Sequence, residues 1–331
     1  MPGAGLSVRH LTMAFCRGRE HVQALDDVSF DVPVGQAVAL VGESGSGKSL
    51  TALTVLGLAS ALQGTILRGT AMFRGRDLLR LAEHELREVR GKHIALVPQD
   101  AVTSLDPVRA VGDQLVQILR THGRRARARD RARELLELVG VPDPTEQLRA
   151  FPQHLSRGTR QRIVVAMALA HDPAVLIADE PTGALDASGQ DHVLDLFGRL
   201  RDENGTGILL ITRDLGLVAE FTQHVVVMYA GQVVETAPTT DLFTNAAHPY
   251  TRALLASVLA PRGASDHRLS TIEGTMPEPG HPVAGCRFAD RCALCAERGK
   301  EADACRSQPP RPRDVAPNWT VRCHFAGDAT S

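Results

Sequence analysis

The chain has 331 residues with 37 basic against 38 acidic side chains and a net charge of −1, so no global basic field argues for nucleic acid as a partner. No run reaches the roughly 18 apolar residues of a membrane helix, and the N-terminus lacks the basic-then-apolar layout of a signal peptide. A cytosolic chain with reduced thiols is therefore expected, long enough for two domains or for one with an appendage.

The first hundred residues read as short strands joined by turns. Leu25 to Val32 and Gln36 to Val41 flank Pro33-Val34-Gly35, and Thr70 to Phe73 precedes the turn at Arg74-Gly75. The apolar run Ala37 to Val41 leads into Gly42-Glu43-Ser44-Gly45-Ser46-Gly47-Lys48-Ser49, which fits G-x-x-x-x-G-K-[ST] at every fixed position. An amphipathic stretch from Ser49 through Leu50 to Leu58 follows. This order of strand, loop and helix turns successive N–H groups toward phosphate from a helix N-terminus. Lys48 is expected to reach the outer phosphates and the Ser49 hydroxyl to ligate Mg²⁺. Lys48, Lys92 and Lys300 are the only lysines among the 37 basic residues, so a compact point charge is wanted in this loop. A glycine-rich turn before an ordinary helix is the plain alternative; strand, helix and lysine together argue against it. The chain is expected to bind a nucleoside triphosphate.

From about Asp113 to Val139 the pattern changes to helix, with Leu115, Ile118 and Leu119 on one face and Leu135, Leu136 and Val139 on another. The arginine-dense run Arg124 to Arg133 has no interleaved aromatics, which favours a solvated helix face over an RNA-binding patch. Strand-like runs return at Val175 to Ala178, Gly207 to Ile211 and Val225 to Tyr229, with helical stretches between. Such alternation predicts a parallel sheet covered on both faces, with the helical block as an insertion. Val175 to Ala178 ends in Asp179-Glu180; behind a phosphate loop the first carboxylate holds Mg²⁺ through water and the second polarises the attacking water. After about Leu259 the composition shifts: Pro277, Pro279, Gly280 and Pro282 mark a linker, and Cys286, Cys292, Cys295, Cys305 and Cys323 crowd the tail. Clustered cysteines in a reducing compartment favour metal over disulfide, and thiolate spacing alone leaves iron–sulfur and zinc both open. Cys16 is isolated and reads as a buried small apolar residue.

The order of the phosphate loop, Gln99 after the strand His93 to Pro98, Leu155-Ser156-Arg157-Gly158, Asp179-Glu180 and Ala184-Leu185-Asp186 resembles the nucleotide-binding subunits of ABC transporters, over residues 6 to 258. Val97-Pro98-Gln99-Asp100-Ala101-Val102-Thr103-Ser104-Leu105-Asp106-Pro107 and His248-Pro249-Tyr250-Thr251 resemble, more closely, the ATPases of oligopeptide and dipeptide importers. The resemblance implies an α/β P-loop NTPase of ABC type: a mixed core sheet flanked by helices, an antiparallel β subdomain and a helical insertion at about 100–170. The cassette would span 1–258, and 259–331 would form a small Cys-rich extension. It implies ATP and Mg²⁺ as ligands, with Phe15 on the adenine, Gly42, Ser44, Gly45, Ser46, Gly47, Lys48, Ser49 and Leu50 around the phosphates, and Gln99 and Asp179 at Mg²⁺. It implies Glu180 as the general base, and Ser156, Gly158 and Asp186 where two subunits meet head to tail. It also implies a four-iron–four-sulfur cluster on Cys286, Cys292, Cys305 and Cys323, with zinc as the rival and Cys295 as an alternative ligand.

The partners so implied are a second nucleotide-binding subunit, two transmembrane permease subunits and, indirectly, an extracytoplasmic solute-binding protein, with this chain peripheral on the cytoplasmic side. Two departures touch the chemistry. Arg157 replaces the first glycine after Ser156, and Arg213 in Leu210-Ile211-Thr212-Arg213-Asp214 replaces the histidine that contacts the γ-phosphate. Arg213 would act in this subunit's own site and Arg157 in the partner's, so a heterodimer with impaired but real turnover is expected. Alternatives are a regulatory subunit that binds ATP without hydrolysing it, an importer ATPase for nickel or another solute, and a soluble ABC ATPase.

Overall fold

The computed structural model describes residues 4–18, 20–123, 126–259, 272–281 and 283–326. Strands β1 (Ala4–Arg17) and β2 (Glu20–Pro33) form a long antiparallel hairpin, and β3 (Ala37–Val41) leads through the phosphate loop into α1 (Lys48–Val55). Strands β4 (Gly64–Phe73) and β5 (Arg76–Asp77) and helix α2 (Glu83–Val89) precede β6 (Ile94–Val97). Then come α3 (Ala101–Ser104), α4 (Val111–Thr121), α5 (Ala128–Leu138), α6 (Pro144–Gln147) and α7 (Arg157–Ala168). The second half alternates β7 (Val175–Asp179), α8 (Ala187–Asn204), β8 (Gly207–Ile211), α9 (Leu215–Phe221) and β9 (His224–Tyr229). It continues with β10 (Gln232–Pro238), α10 (Thr239–Asn245) and α11 (Pro249–Leu259). The tail adds α12 (Ala293–Arg298), α13 (Asp303–Ser307), β11 (Arg313–Ala316) and β12 (Trp319–Val321).

The main sheet has the order β11-β12-β10-β9-β3-β8-β7-β6, and a second sheet has the order β2-β1-β4-β5. Pairs from β9 through β6 are parallel, whereas β10, β12 and β11 add antiparallel strands at the other edge. The sheet is therefore mixed, and only the five strands from β9 to the β6 edge form the parallel sheet that strand–helix alternation predicts. Strands β3, β7 and β8 are buried at every residue, as continuous apolar runs covered on both faces must be. Their side chains alternate between two cores. Val38, Leu40, Ile177 and Leu209 pack with α1 and the β1–β2 hairpin, while Leu176, Ala178, Ile208 and Leu210 pack with α4, α5, α7 and α8.

Strands β1, β10, β11 and β12 go beyond the elements read from sequence. β1 carries register shifts between Val8, Leu11, Met13 and Ala14, which break the period-two pattern that would have announced it. All four residues of β11 are exposed, so it has no hydrophobic signature. β4 begins at Gly64 and not at Thr70, because its mostly exposed first half pairs with residues 12–15 of β1. Of the arginine-rich run, Arg124 and Arg125 lie outside the described residues; Arg127, Arg131 and Arg133 pair with Asp130, Glu134 and Glu137 along α5, as on a solvated face. Pro282 of the expected linker also lies outside the described residues.

The tail closes back on the core. Glu235 of β10 sits opposite Val321 of β12, and Phe288, 2% exposed, packs between Tyr229 and Tyr250 at ring-centroid distances of 5.2 and 5.4 Å. Among the described residues no helix is long and apolar enough to cross a membrane.

Candidate active site

The phosphate loop follows a path that demands glycine at two points. Gly42 leaves β3 at φ 145°, where a Cβ would run into the Met228 carbonyl, and Gly47 caps α1 at φ 103° with Leu25 Cδ2 2.9 Å from where its Cβ would stand. Ser46 is fully buried, and its carbonyl accepts from the Gly231 N–H at 2.9 Å, tying the loop to the β9–β10 turn. Lys48, 7% exposed, donates from Nζ to the Gly42 and Glu43 carbonyls at 2.8 Å each and to Ser46 Oγ at 3.4 Å. Burial pulls the Lys48 pKa down, and the carboxylates of Asp179 and Glu180 oppose that pull.

Asp179 ends β7 and is buried. Burial pushes its carboxyl up; the Ser49 hydroxyl, from which it accepts a hydrogen bond, holds it down, and neighbouring Glu180 raises it further. Glu180 turns into the left-handed region at φ 46°, and its N–H donates to the Ile211 carbonyl at 2.8 Å. A non-glycine residue held in that conformation is a strained position of the kind that clusters at reactive sites. Arg213, just beyond β8, forks onto it: Nε lies 2.8 Å from Glu180 Oε1 and Nη2 donates to Oε2 at 3.1 Å.

These groups border a cleft of about 270 Å³. Of the residues expected from sequence, Ser44, Gly45, Gly47, Lys48, Ser49 and Leu50 line it from the loop and α1. Phe15, Gln99, Asp179, Glu180 and Arg213 line it from the surrounding strands and turns. Gly42 and Ser46 lie behind the loop and shape it. Two lining residues carry no sequence signal for the site: Ala24 of the hairpin, and Pro279, which the sequence marks only as part of a linker.

The remaining candidates stand elsewhere in the chain. Ser156 is exposed and caps α7, its Oγ accepting from the Thr159 N–H at 3.0 Å, and Arg157 is the exposed first residue of that helix. A Cβ on Gly158 would stand 3.6 Å from the Ala184 carbonyl, so this segment lies against Ala184-Leu185-Asp186. Asp186 caps α8, accepting from the Gly189 N–H at 3.1 Å, and faces Arg162 at 3.8 Å. None of these borders the Lys48 cleft within one chain.

The five tail cysteines share one neighbourhood. Cys286, Cys292, Cys295 and Cys305 pack together with Ala302, and the Cys286 thiol lies within electrostatic reach of Cys323. Their chemistry suits a thiophilic metal, but no three His, Cys, Asp or Glu side chains among the described residues are grouped to hold an ion as they stand. Burial pushes the Cys286 and Cys305 thiols up to about 12, which keeps them protonated at neutral pH in this arrangement. Cys16 is exposed, with Sγ 3.7 Å from His21 Nδ1, and so is not the buried residue its isolation suggested.

A glycine-shaped loop at a helix N-terminus, a buried lysine, an Asp-Glu pair at a strand end and a two-sheet cassette together define a nucleotide-hydrolysing ATP-binding cassette. The ABC transporter family profile matches residues 25–183, and a profile of the oligopeptide/dipeptide transporter C-terminal region matches 234–298. A probable peptide ABC transporter ATP-binding protein of Sinorhizobium fredii is 44% identical over 320 residues, covering 96% of this chain and 94% of that protein. The oligopeptide transport ATP-binding protein AppD of Bacillus subtilis is 42% identical over 320 residues, covering 96% and 95%. The bacterial ABC transporter cassette MJ0796, solved as a dimer, superposes with a TM-score of 0.63 at 28% identity over 71% of this chain and 98% of that one. The chain belongs to the ATP-binding protein family of ABC transporters, which are ATPases, and it carries the C-terminal region of the oligopeptide/dipeptide branch.

Proposed function

We propose that this chain powers a peptide importer of the oligopeptide or dipeptide type from the cytoplasmic face of the membrane. The observation that carries the reading is the union, in one chain, of the Lys48–Asp179–Glu180 cleft with the C-terminal region found in oligopeptide/dipeptide transporters. Lys48 exchanges the Gly42 and Glu43 carbonyls for the outer phosphates of ATP, and Phe15 packs on the adenine. Ser49, Gln99 and Asp179 offer the all-oxygen donor set that suits Mg²⁺, which when bound neutralises charge on the transferred phosphate. Glu180 takes the proton of the attacking water. Ser156, Gly158 and Asp186, exposed or half-buried and away from this chain's own cleft, serve the site shared with a second nucleotide-binding subunit. That partner differs in sequence, so Arg157 and Arg213 act in different sites; two permease subunits receive the helical insertion, and a solute-binding protein delivers peptide from outside. Residues 1–258 act as the cassette and 259–331 as its importer-type extension.

The Arg213–Glu180 fork favours slow turnover, because both carboxylate oxygens are already engaged by a cation. The test is the assembled complex in proteoliposomes, with ATP hydrolysis followed as peptide-loaded binding protein is added. Stimulated hydrolysis with peptide uptake is expected. Stimulation by a nickel chelate alone would replace the substrate class, and tight ATP binding without hydrolysis would make the chain a regulatory subunit.

For the tail we propose that metal binding draws the thiols together as thiolates and releases their protons, an iron–sulfur cluster first and zinc second. Cys286, Cys292, Cys305 and Cys323 are the ligands, with Cys295 as substitute. Anaerobically purified protein is expected to carry iron and acid-labile sulfide, and Cys286→Ser to lose both. Stoichiometric zinc without sulfide would select the rival, and metal-free, folded protein would refute both.

A further inference from the structure

Arg291 belongs to the short turn between Phe288 and Cys292, yet its side chain ends at the phosphate loop. Nη1 lies 2.8 Å from Glu43 Oε2 and Nη2 donates to Oε1 at 3.1 Å; Nη1 also donates to Tyr229 Oη at 3.2 Å. Nη2 and Nε donate to the Ile272 and Glu273 carbonyls at 3.0 and 2.9 Å, so the five guanidinium donors meet five acceptors, with the side chain only 7% exposed. Glu43 is held by its backbone too, its N–H donating to Tyr250 Oη at 2.8 Å. The Glu43 carbonyl in turn is one of the two that accept from Lys48 Nζ. Before ATP binds, two contacts thus connect the tail to the ammonium that then turns to phosphate.

A second arginine of the same segment reinforces the arrangement. Arg287 donates to the Ala230 carbonyl and, from Nη2 at 2.8 Å, to Asp26, next to Gly231, whose N–H holds the Ser46 carbonyl. A bidentate guanidinium–carboxylate pair such as Arg291–Glu43 fixes geometry as well as charge, and a displacement of the order of 1 Å in a binding loop is costly.

We propose that Arg291 is a positioning residue for nucleotide binding: through Glu43 it holds the phosphate loop in its binding shape, making the C-terminal region a working part of the ATP site. The inference rests on ATP occupying the Lys48 cleft. Its test is the affinity of the purified full chain for a fluorescent ATP analogue, with thermal melting measured alongside. Arg291→Ala is expected to weaken binding by about tenfold in protein that remains folded, and Arg291→Lys to recover part of the loss. Glu43→Gln should reproduce the Arg291→Ala effect, and the double variant should be no worse than either, since both remove one link. In the assembled transporter KM for ATP should rise while kcat stays within about twofold. Unchanged affinity in folded Arg291→Ala, or additive losses in the double variant, overturns the proposal; should Arg291→Ala not fold, Glu43→Gln decides it by the same criterion. A Lys48→Ala control that binds as wild type points instead to a wrong cleft.

Discussion

Replacing Glu180 with glutamine is expected to lower ATP turnover by about 10²–10⁴-fold while leaving nucleotide affinity nearly intact, because it removes the proton acceptor and little of the phosphate contact. The carboxylate is poised by unusual means: a left-handed backbone at φ 46° turns it into the cleft, and Arg213 grips both its oxygens. To act on water it must loosen that grip. Arg213 is 60% exposed, which limits the pair to the scale of a partly solvated ion pair, about 1 kcal/mol. Arg213→His is therefore expected to raise turnover by about fivefold, as the smaller ring engages one oxygen and leaves the other for water. Single-turnover hydrolysis in the assembled complex checks both. If Arg213→His slows the reaction, the arginine assists the chemistry and does not restrain it.

Lys48→Ala is expected to weaken ATP binding by about 10²-fold or more. An ammonium that meets phosphate oxygens makes charge-assisted hydrogen bonds of about 1.5–3 kcal/mol, and no other lysine approaches the cleft. The substitution also leaves the Gly42 and Glu43 carbonyls without their shared donor, which adds about 1–3 kcal/mol of destabilisation to the empty protein. Two measurements separate these effects: calorimetric titration with Mg-ATP for affinity, and melting with and without nucleotide for stability. Lys48→Arg should not rescue, because a planar fork does not fit where one nitrogen sits 2.8 Å from two carbonyls. Undiminished ATP affinity in Lys48→Ala would remove the cleft from consideration.

The local patterns were legible because short-range physics sets them. Gly207–Ile211 forms a strand at its expected limits and Ala37–Val41 starts one residue inside the expected Gln36 to Val41, since a run buried on both faces needs no partner to declare itself. The loop from Gly42 to Ser49 was readable because glycines at fixed spacing and one lysine are a chemical requirement of phosphate binding. Asp179 and Glu180 at a strand end, and Arg213 where histidine was expected, were likewise visible as residue types. Their grouping in a single cleft follows from the parallel order β3-β8-β7, which brings three strand ends together.

What the amino-acid order determined by itself is therefore the phosphate loop, the buried core strands and the reactive residue types, each set by local pattern, with the cassette legible through the order of its motifs. Tertiary structure alone decided which side chains engage one another. Arg213 grips Glu180 across 33 positions, Tyr250 meets Glu43 across 207, and Arg291 meets it across 248. No periodicity or motif spans such distances. The pairings exist because the tail packs Phe288 against Tyr229 and Tyr250 and joins β12 to β10, and that packing carries Arg291 to the phosphate loop.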